Sequence, residues 1–285
     1  MPVTIAQTLS QDQARLIQQL DLGRVEARLE VQVLLCRALS VAKSYLIAHG
    51  DDAMTPAQLM HYQPLLERRF NGEPIAYILG EREFYSLNFK VTPAVLIPRP
   101  DTELLVDLAL THIAPDQSCQ VLDLGTGSGV IAISIARYRP QASITAVDQS
   151  PGALAIAQEN ALALATGNIF FTQSDWYSAL ADRKFDVIVS NPPYIEANDL
   201  HLHQGDLRFE PVSALASGTD GLDSLRHIIQ QAHAHLLPGG WLLFEHGYNQ
   251  AEKCRALMRE HGFSQVASRQ DLSGIERVTS GMASA

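Results

Sequence analysis

The order of apolar and polar residues divides the chain into a helical first part and an alternating second part. Through residues 1–80, apolar side chains recur at helical spacing, most densely across 25–47. The segment 31–39 is apolar on more than one face, which predicts the central helix of a small bundle. This part contains no catalytic constellation. A plain helical bundle and a module that recognises a macromolecular partner both fit the pattern.

A short alternating stretch at 81–97 predicts a β-hairpin that connects two domains. From residue 119 the pattern becomes strand, helix, strand, helix, which is typical of a mostly parallel, doubly wound α/β sheet. The small, polar tail at 280–285 is predicted to fray. The predicted strands are 119–124, 143–147, 169–172, 185–190 and 241–245, the predicted helices are 131–138, 153–164, 222–237 and 251–261, and 266–269 with 275–279 form a closing antiparallel pair.

The loop Asn191-Pro192-Pro193-Tyr194 follows the apolar, β-branched strand predicted at 185–190. Two consecutive prolines cannot continue a strand, so a stiff loop leaves its carboxyl end, where open α/β sheets place their ligands. The side-chain carbonyl of Asn191 and the backbone carbonyl of Pro192 suit the two N–H groups of a planar –NH2, with Tyr194 stacked on its plane. Acceptors placed for a pyramidal nitrogen would stabilise the transition state of its attack.

A glycine-rich turn, Gly125-Thr126-Gly127-Ser128-Gly129, follows the strand predicted at 119–124. In a dinucleotide fingerprint the third glycine would stand one position later, where this chain has Val130. Asp123 precedes the turn, where a carboxylate would repel a pyrophosphate and attract a cationic group. The turn therefore favours a ligand without a pyrophosphate.

Acidic residues also stand at the ends of the next two strands. Asp148 comes 19 residues after Gly129 and suits a bidentate contact with two ribose hydroxyls. Asp175 suits an exocyclic adenine amine, with Trp176 against the ring. Any one of these acids alone is better explained as a solvated loop residue or a helix cap. Together around a glycine turn they predict a nucleoside that carries a positive charge and no phosphate, S-adenosylmethionine.

These motifs resemble those of known methyltransferases. The glycine turn, Asp148 and the Asn-Pro-Pro-Tyr loop are similar to class I methyltransferases that act on planar amino groups, a pattern shared with N6-adenine methyltransferases of DNA and RNA. Further segments resemble the glutamine methyltransferases of peptide chain release factors (the PrmC/HemK family) over nearly the whole chain. These are the helical N-terminus, Glu-Phe-Tyr at 83–85, Ile-Pro-Arg-Pro-Asp-Thr-Glu at 97–103, Glu-Pro at 210–211 and Glu-His-Gly at 245–247. Ser86 departs from the glycine of many relatives.

The resemblance implies a class I S-adenosylmethionine-dependent methyltransferase fold, Rossmann-like, with a seven-stranded, mostly parallel sheet and an N-terminal helical bundle. It implies methyl transfer to the side-chain nitrogen (N5) of the glutamine in the Gly-Gly-Gln loop of release factors. The expected domains are a substrate-recognition domain at 1–80, the hairpin connector at 81–97 and a catalytic domain at 98–285.

The resemblance also assigns the site residues. Asn191, Pro192 and Tyr194 are expected to be catalytic, and these three with Pro193 to bind the substrate. Arg99 is expected near the methionine end of the cofactor, whereas Phe84 and Glu245 fit core packing or strand-end structure better. The expected cofactor-binding residues are Gly125, Thr126, Gly127, Asp148, Asp175, Trp176 and Asn191.

Composition narrows the alternatives. The chain of 285 residues is 46% hydrophobic and 18% charged, as in a globular protein, and its formal net charge is −10. The charge counts against an N6-adenine methyltransferase of nucleic acid, and the intact Asn-Pro-Pro-Tyr loop counts against a cofactor-binding scaffold without catalysis. Three isolated cysteines and the lack of a signal-peptide pattern favour the cytoplasm. We expect a monomer with no metal, no stable nucleic acid and no membrane as partner.

Overall fold

The computed structural model describes residues 3–284, which form two compact units. One unit holds the chain up to Gly80 together with His203–Phe209, and the other holds Glu81–Leu202 and the chain from Glu210 onward. The segment His203–Phe209 therefore interrupts the second unit in sequence and packs with the first. The hydrophobic pattern of the sequence did not predict that this segment packs with the helical unit.

The first unit is a bundle around α2 (Arg24–Leu39), which packs against the other four helices as predicted. Capping boxes begin two of them, because Thr4 and Thr55 each exchange hydrogen bonds with the glutamine three residues later. The other helices are α1 (Ile5–Leu20), α3 (Lys43–Ala48), α4 (Pro56–Phe70) and α5 (Ile75–Leu79).

A buried arginine ties the segment His203–Phe209 to this bundle. The Arg69 side chain on α4 is only 4% exposed, and its Nε donates to Glu30 Oε2 at 2.7 Å. Its Nη1 donates to Asp206 Oδ1 at 3.1 Å and to the carbonyl oxygen of Glu73 at 3.0 Å. Burial raises the pKa of Glu30, and the Arg69 partner opposes that rise. The guanidinium is buried with both charge and hydrogen bonds compensated, as buried charges require.

The second unit begins with a hairpin, β1 (Glu81–Phe84) and β2 (Leu87–Lys90). Its turn residues Tyr85 and Ser86 have φ of 53° and 59°, the left-handed conformation of a two-residue hairpin turn. The Tyr85 amide donates to Glu103 Oε1 at 2.8 Å and the Ser86 amide to Glu83 Oε1 at 2.7 Å. These side-chain bonds hold a turn that lacks glycine. Phe84 is fully buried in the core, as its packing interpretation predicted.

The main sheet has seven strands in the order β5-β4-β3-β6-β7-β9-β8. The first five in this order are mutually parallel, and β9 pairs antiparallel with both β7 and β8. The predicted mostly parallel sheet with a closing antiparallel pair is confirmed. The strands are β3 (Gln120–Leu124), β4 (Ser143–Asp148), β5 (Ile169–Gln173), β6 (Phe185–Ser190), β7 (Leu236–Glu245), β8 (Phe263–Gln270) and β9 (Glu276–Ala283).

Helices pack on both faces of this sheet, so successive residues of one strand enter different cores. On β3, Val121 packs in one core with α6 and α7, and Leu122 packs in the other with α9 and α10. This double burial explains why the central strands read as continuous apolar runs. The helices are α6 (Glu103–His112), α7 (Val130–Tyr138), α8 (Pro151–Ala163), α9 (Asp223–His235) and α10 (Ala251–Glu260).

Several predicted boundaries differ from the structure, most of all at the tail and at the start of β7. The tail does not fray from residue 280, because β9 continues to Ala283 and Gly281 pairs with Leu242; Ala285 lies outside the described residues. A Cβ at Gly281 would lie 2.8 Å from the Met258 Cε, so the small residue fits a tight packing position. Strand β7 also begins at Leu236, where a helix end was predicted, because Pro-Gly-Gly at 238–240 forms an irregular stretch of strand and not a turn.

Candidate active site

The site lies where two neighbouring strands end together. Leu124 of β3 is paired with Ser190 of β6, and the Ser190 Oγ donates to the Leu124 carbonyl oxygen at 2.8 Å. The glycine turn and the Asn-Pro-Pro-Tyr loop therefore leave the sheet side by side. Strand order reverses between β3 and β6, and doubly wound sheets bind ligands at such a switch point.

A cavity of about 290 Å³ opens at this edge, within the second unit. It is lined by residues from four consecutive strand ends and by the loop 93–99. Buried Pro192 and half-buried Tyr194 do not line it. The predicted site residues that line it are Gly125, Thr126, Gly127, Asp148, Asp175, Trp176, Asn191 and Pro193.

Asp123 supports the glycine turn from below. It is fully buried, and its Oδ2 accepts from the Thr126 hydroxyl at 2.7 Å and from the Ala132 amide at 3.2 Å. The predicted attraction of a cationic ligand is replaced by this structural role, because Asp123 does not line the cavity. Its Oδ1 has no hydrogen-bond partner within residues 3–284. Burial raises its pKa from the ordinary 3.8 to about 7.

An Asp123→Asn variant is expected to flatten the pH dependence of stability. With the native pKa raised, the folded protein holds a proton that the unfolded chain has lost. The free energy of unfolding therefore decreases as the pH rises from 3.8 to about 7. The slope is at most about 1.4 kcal/mol per pH unit. Asparagine cannot ionise and keeps an oxygen for Thr126. Urea melts at several pH values, with exposed Asp182→Asn as control, test this. Equal wild-type and Asp123→Asn slopes would contradict it.

Asp148 ends β4 beside the glycine turn. Its Oδ2 accepts from the Gly127 amide and its Oδ1 from the Ser150 amide, both at 2.9 Å. Burial raises the pKa of this carboxyl, and the backbone amides oppose the rise. Each oxygen keeps a further lone pair. Asp148 thus both fixes the turn and presents a rigid acceptor to the cavity.

Trp176 and Asp175 follow β5 on the same edge. Trp176 has a φ of 49°, which is an unusual conformation for a bulky residue and indicates a functional constraint. A Cβ built at Gly125 would lie 3.7 Å from the indole, so the ring lies close to the glycine turn. The Asp175 carboxylate is exposed at the cavity rim. A flat ring beside a carboxylate suits a heteroaromatic base with an exocyclic amine.

Asn191 is held by a partner that the sequence reading did not identify. Its Nδ2 donates to Thr102 Oγ1 at 3.0 Å, and its Oδ1 has no hydrogen-bond partner in the described part of the chain. Thr102 directly precedes helix α6, but its side chain does not cap the helix and donates instead to Glu245 Oε2 at 2.6 Å. Asn191 therefore presents a carbonyl oxygen at a cavity-lining position.

Tyr194 is fixed at both ends. Its hydroxyl donates to Glu245 Oε1 at 3.1 Å, and its backbone carbonyl accepts from Gln250 Nε2 at 3.0 Å. Burial, together with the Glu245 charge, raises the pKa of Tyr194 well above its usual range. The ring is thus a neutral, immobile neighbour of Asn191. A Cβ on Gly221 would come within 2.2 Å of the Tyr194 carbonyl oxygen, so this approach requires glycine.

Arg99 lines the cavity from the loop that precedes α6. Its guanidinium pairs with Glu210 Oε1, and the other Glu210 oxygen accepts from the Ile97 amide at 2.9 Å. The Glu210 side chain is fully buried. Glu210 therefore holds both the loop and its arginine, which lines the cavity as one half of an ion pair.

Membrane-spanning helices and metal-binding clusters are both absent from residues 3–284. No helix in this range has the length and apolar character needed to cross a membrane. No group of three or more histidine, cysteine, aspartate or glutamate side chains is arranged to hold a metal ion in the same range.

Two family models match the chain in succession. The model described as the PrmC N-terminal domain matches residues 9–80, and the model described as the methyltransferase small domain matches residues 101–206. A crystal structure of a methyltransferase from Pyrococcus furiosus has a TM-score of 0.54 at 16% identity, and covers 79% of this chain and 100% of its own. At that identity the likeness shows the fold alone.

Curated relatives align over almost the full length. The release factor glutamine methyltransferase of Salmonella typhimurium is 49% identical over 89% of this chain and 91% of its own. That of Vibrio cholerae is 48% identical over 99% of this chain and 97% of its own. With its class I S-adenosylmethionine-dependent methyltransferase fold, the chain belongs to the release factor glutamine methyltransferase family.

Proposed function

We propose that this protein transfers the methyl group of S-adenosylmethionine to the side-chain nitrogen (N5) of the glutamine in the Gly-Gly-Gln loop of peptide chain release factors. The observation that carries the proposal is Asn191, which lines the cavity with Oδ1 unpartnered among the described residues and Nδ2 committed to Thr102. A carbonyl acceptor that lines a cavity suited to a nucleoside can accept from a planar amide –NH2. The names of the relatives support this substrate.

The residues around the cavity fit S-adenosylmethionine. Asp148 supplies a rigid carboxylate for the ribose hydroxyls, and Trp176 with Asp175 a flat face and an acceptor for adenine. Gly125, Thr126 and Gly127 let the backbone approach the nucleoside, and Arg99 suits the carboxylate of the methionine part. When bound, the cofactor supplies an electrophilic methyl group on its sulfonium and leaves as S-adenosylhomocysteine. We assign no metal to the reaction.

The chain's own residues position the nucleophile. Asn191 Oδ1 and the Pro192 carbonyl accept the two N–H bonds of the glutamine amide, with Pro193 and Tyr194 completing the substrate contact. Acceptors placed for a pyramidal nitrogen favour the transition state over the planar amide. No strong general base is required, because the methylated nitrogen loses its proton to water. Catalysis then rests on orientation and electrostatics.

We assign substrate recognition to residues 1–80, a connecting role to 81–97 and catalysis to 98–285. Helix α2 supports the first assignment, because Val25, Leu29 and Val33 form an exposed apolar row at four-residue spacing. The protein would act as a monomer in the cytoplasm, on the factors that terminate translation. No stable nucleic acid or membrane partner belongs to this proposal.

The alternative, N6-adenine methylation of DNA or RNA, shares the Asn-Pro-Pro-Tyr loop and is not favoured by the relatives' names. Tritiated S-adenosylmethionine, offered with purified release factor or with adenine-containing duplex DNA, separates the two. We expect label in the release factor and none in the DNA. Label confined to the DNA would replace the proposed function by the alternative, and cofactor binding without transfer to either would support a scaffold.

A further inference from the structure

Four side chains from distant parts of the second unit form one chain of hydrogen bonds. Asn191 Nδ2 donates to Thr102 Oγ1 at 3.0 Å, and the Thr102 hydroxyl donates to Glu245 Oε2 at 2.6 Å. The Tyr194 hydroxyl donates to the other Glu245 oxygen at 3.1 Å. Both ends of the Asn-Pro-Pro-Tyr loop therefore converge on a single carboxylate. Thr102 is 2% exposed and Glu245 also 2% exposed, so water does not compete for these bonds.

The chemistry of the groups fixes the direction of every bond in this chain. Burial raises the pKa of Glu245, and the hydroxyls of Thr102 and Tyr194 oppose that rise. While Glu245 is ionised it only accepts, so the single hydroxyl proton of Thr102 goes to Glu245. The 2.6 Å separation is typical of a hydroxyl that donates to a charged oxygen. The Thr102 oxygen is left only as an acceptor on its other side. Asn191 must then present its –NH2 to Thr102 and keep its carbonyl oxygen for another donor.

We propose that Thr102 and Glu245 are positioning residues, which hold the Asn191 amide in the one orientation that offers Oδ1 to the substrate nitrogen. This inference rests on the proposed function, because it requires a substrate that brings N–H donors. With the amide reversed, Asn191 would present –NH2 to the –NH2 of glutamine, donor against donor. The carboxylate thus acts on the substrate through two intervening side chains and touches no reacting atom.

Replacement of Thr102 separates this role from simple packing. Thr102→Val keeps the shape of the side chain and removes the hydroxyl, whereas Thr102→Ser keeps the hydroxyl and removes a methyl group. We expect Thr102→Val to lower kcat for purified release factor by about 10- to 100-fold, the range for a misoriented catalytic contact. Its KM and its calorimetric affinity for S-adenosylmethionine should stay near the wild-type values, whereas its Tm should fall by a few degrees because buried Glu245 loses a donor. Thr102→Ser should restore kcat to within about threefold.

Each outcome decides the inference. Wild-type kcat in Thr102→Val, or equal loss in Thr102→Ser, would overturn the orienting role. A parallel fall of kcat and cofactor affinity in Thr102→Val would assign the hydroxyl to the structure of the whole site and overturn the orienting role as well. The wild-type reaction in the same series keeps the two proposals apart. Absence of wild-type transfer to glutamine would remove the proposed function, whereas normal wild-type transfer with an unimpaired Thr102→Val would remove only this inference.

Discussion

An Asn191→Ala variant is expected to lose methyl transfer by about 10³-fold, while its affinity for S-adenosylmethionine stays within a few-fold of the wild type. Alanine removes the carbonyl acceptor at the cavity and leaves the glycine turn, Asp148 and Trp176 unchanged. The lost contact is made chiefly in the transition state, so kcat falls more than KM rises. Single-turnover transfer to release factor and calorimetry of cofactor binding measure the two effects separately.

The control is Asn88→Ala, which removes an exposed asparagine from the hairpin, where its Nδ2 donates to Glu81. This variant should retain wild-type transfer. Loss of cofactor affinity by more than about tenfold in Asn191→Ala would contradict the division of roles between the Asn-Pro-Pro-Tyr loop and the nucleoside site. Transfer at the wild-type rate would remove Asn191 from the catalytic residues.

An Asp148→Ala variant is expected to bind S-adenosylmethionine more weakly by about 100-fold or more. The carboxylate is proposed to accept two hydrogen bonds from the ribose, and hydrogen bonds to a charged group contribute about 1.5–3 kcal/mol each. A further part of the loss comes from the Gly127 and Ser150 amides, which the carboxylate holds in place. Calorimetry on the full-length protein gives the affinity directly.

Asp148→Asn and exposed Asp182→Ala are the matched variants for this measurement. Asparagine has a single, neutral acceptor oxygen and can accept from only one of the two backbone amides. The affinity of Asp148→Asn for S-adenosylmethionine should therefore lie between those of Asp148→Ala and the wild type. Asp182→Ala should bind normally. An unchanged affinity in Asp148→Ala would disprove the ribose assignment.

The sheet and the positions of the glycine turn and the Asn-Pro-Pro-Tyr loop could be predicted from the local sequence pattern. Strands buried on two faces read as short apolar runs, and glycine or proline marks where two of them stop, at Gly125 and at Pro192. Parallel strands end on the same edge, so strand order alone brings Asp148, Asp175 and Asn191 to one cavity. Local pattern therefore contained most of the candidate site.

The contacts that support the site residues could not be predicted from the sequence, because they join residues far apart in the chain. Thr102 and Glu245 are separated by 143 positions, and nothing near either residue indicates the other. Thr102 directly precedes a helix and Glu245 ends a strand, so each residue has an ordinary local explanation. In the same way, His203–Phe209 packs with the helical unit through Asp206 and Arg69, which lie 137 positions apart. Such pairs are determined by tertiary packing and not by the local conformational propensity of the residues.

The most direct test of the proposed function is to locate the transferred methyl group. Release factor is incubated with this protein and S-adenosylmethionine, digested and analysed by tandem mass spectrometry, with a factor whose Gly-Gly-Gln glutamine is replaced by alanine treated in parallel. We predict a single added methyl group on the side-chain nitrogen of that glutamine and none in the alanine factor. A methyl group on any other residue, or one that persists in the alanine factor, would contradict the account.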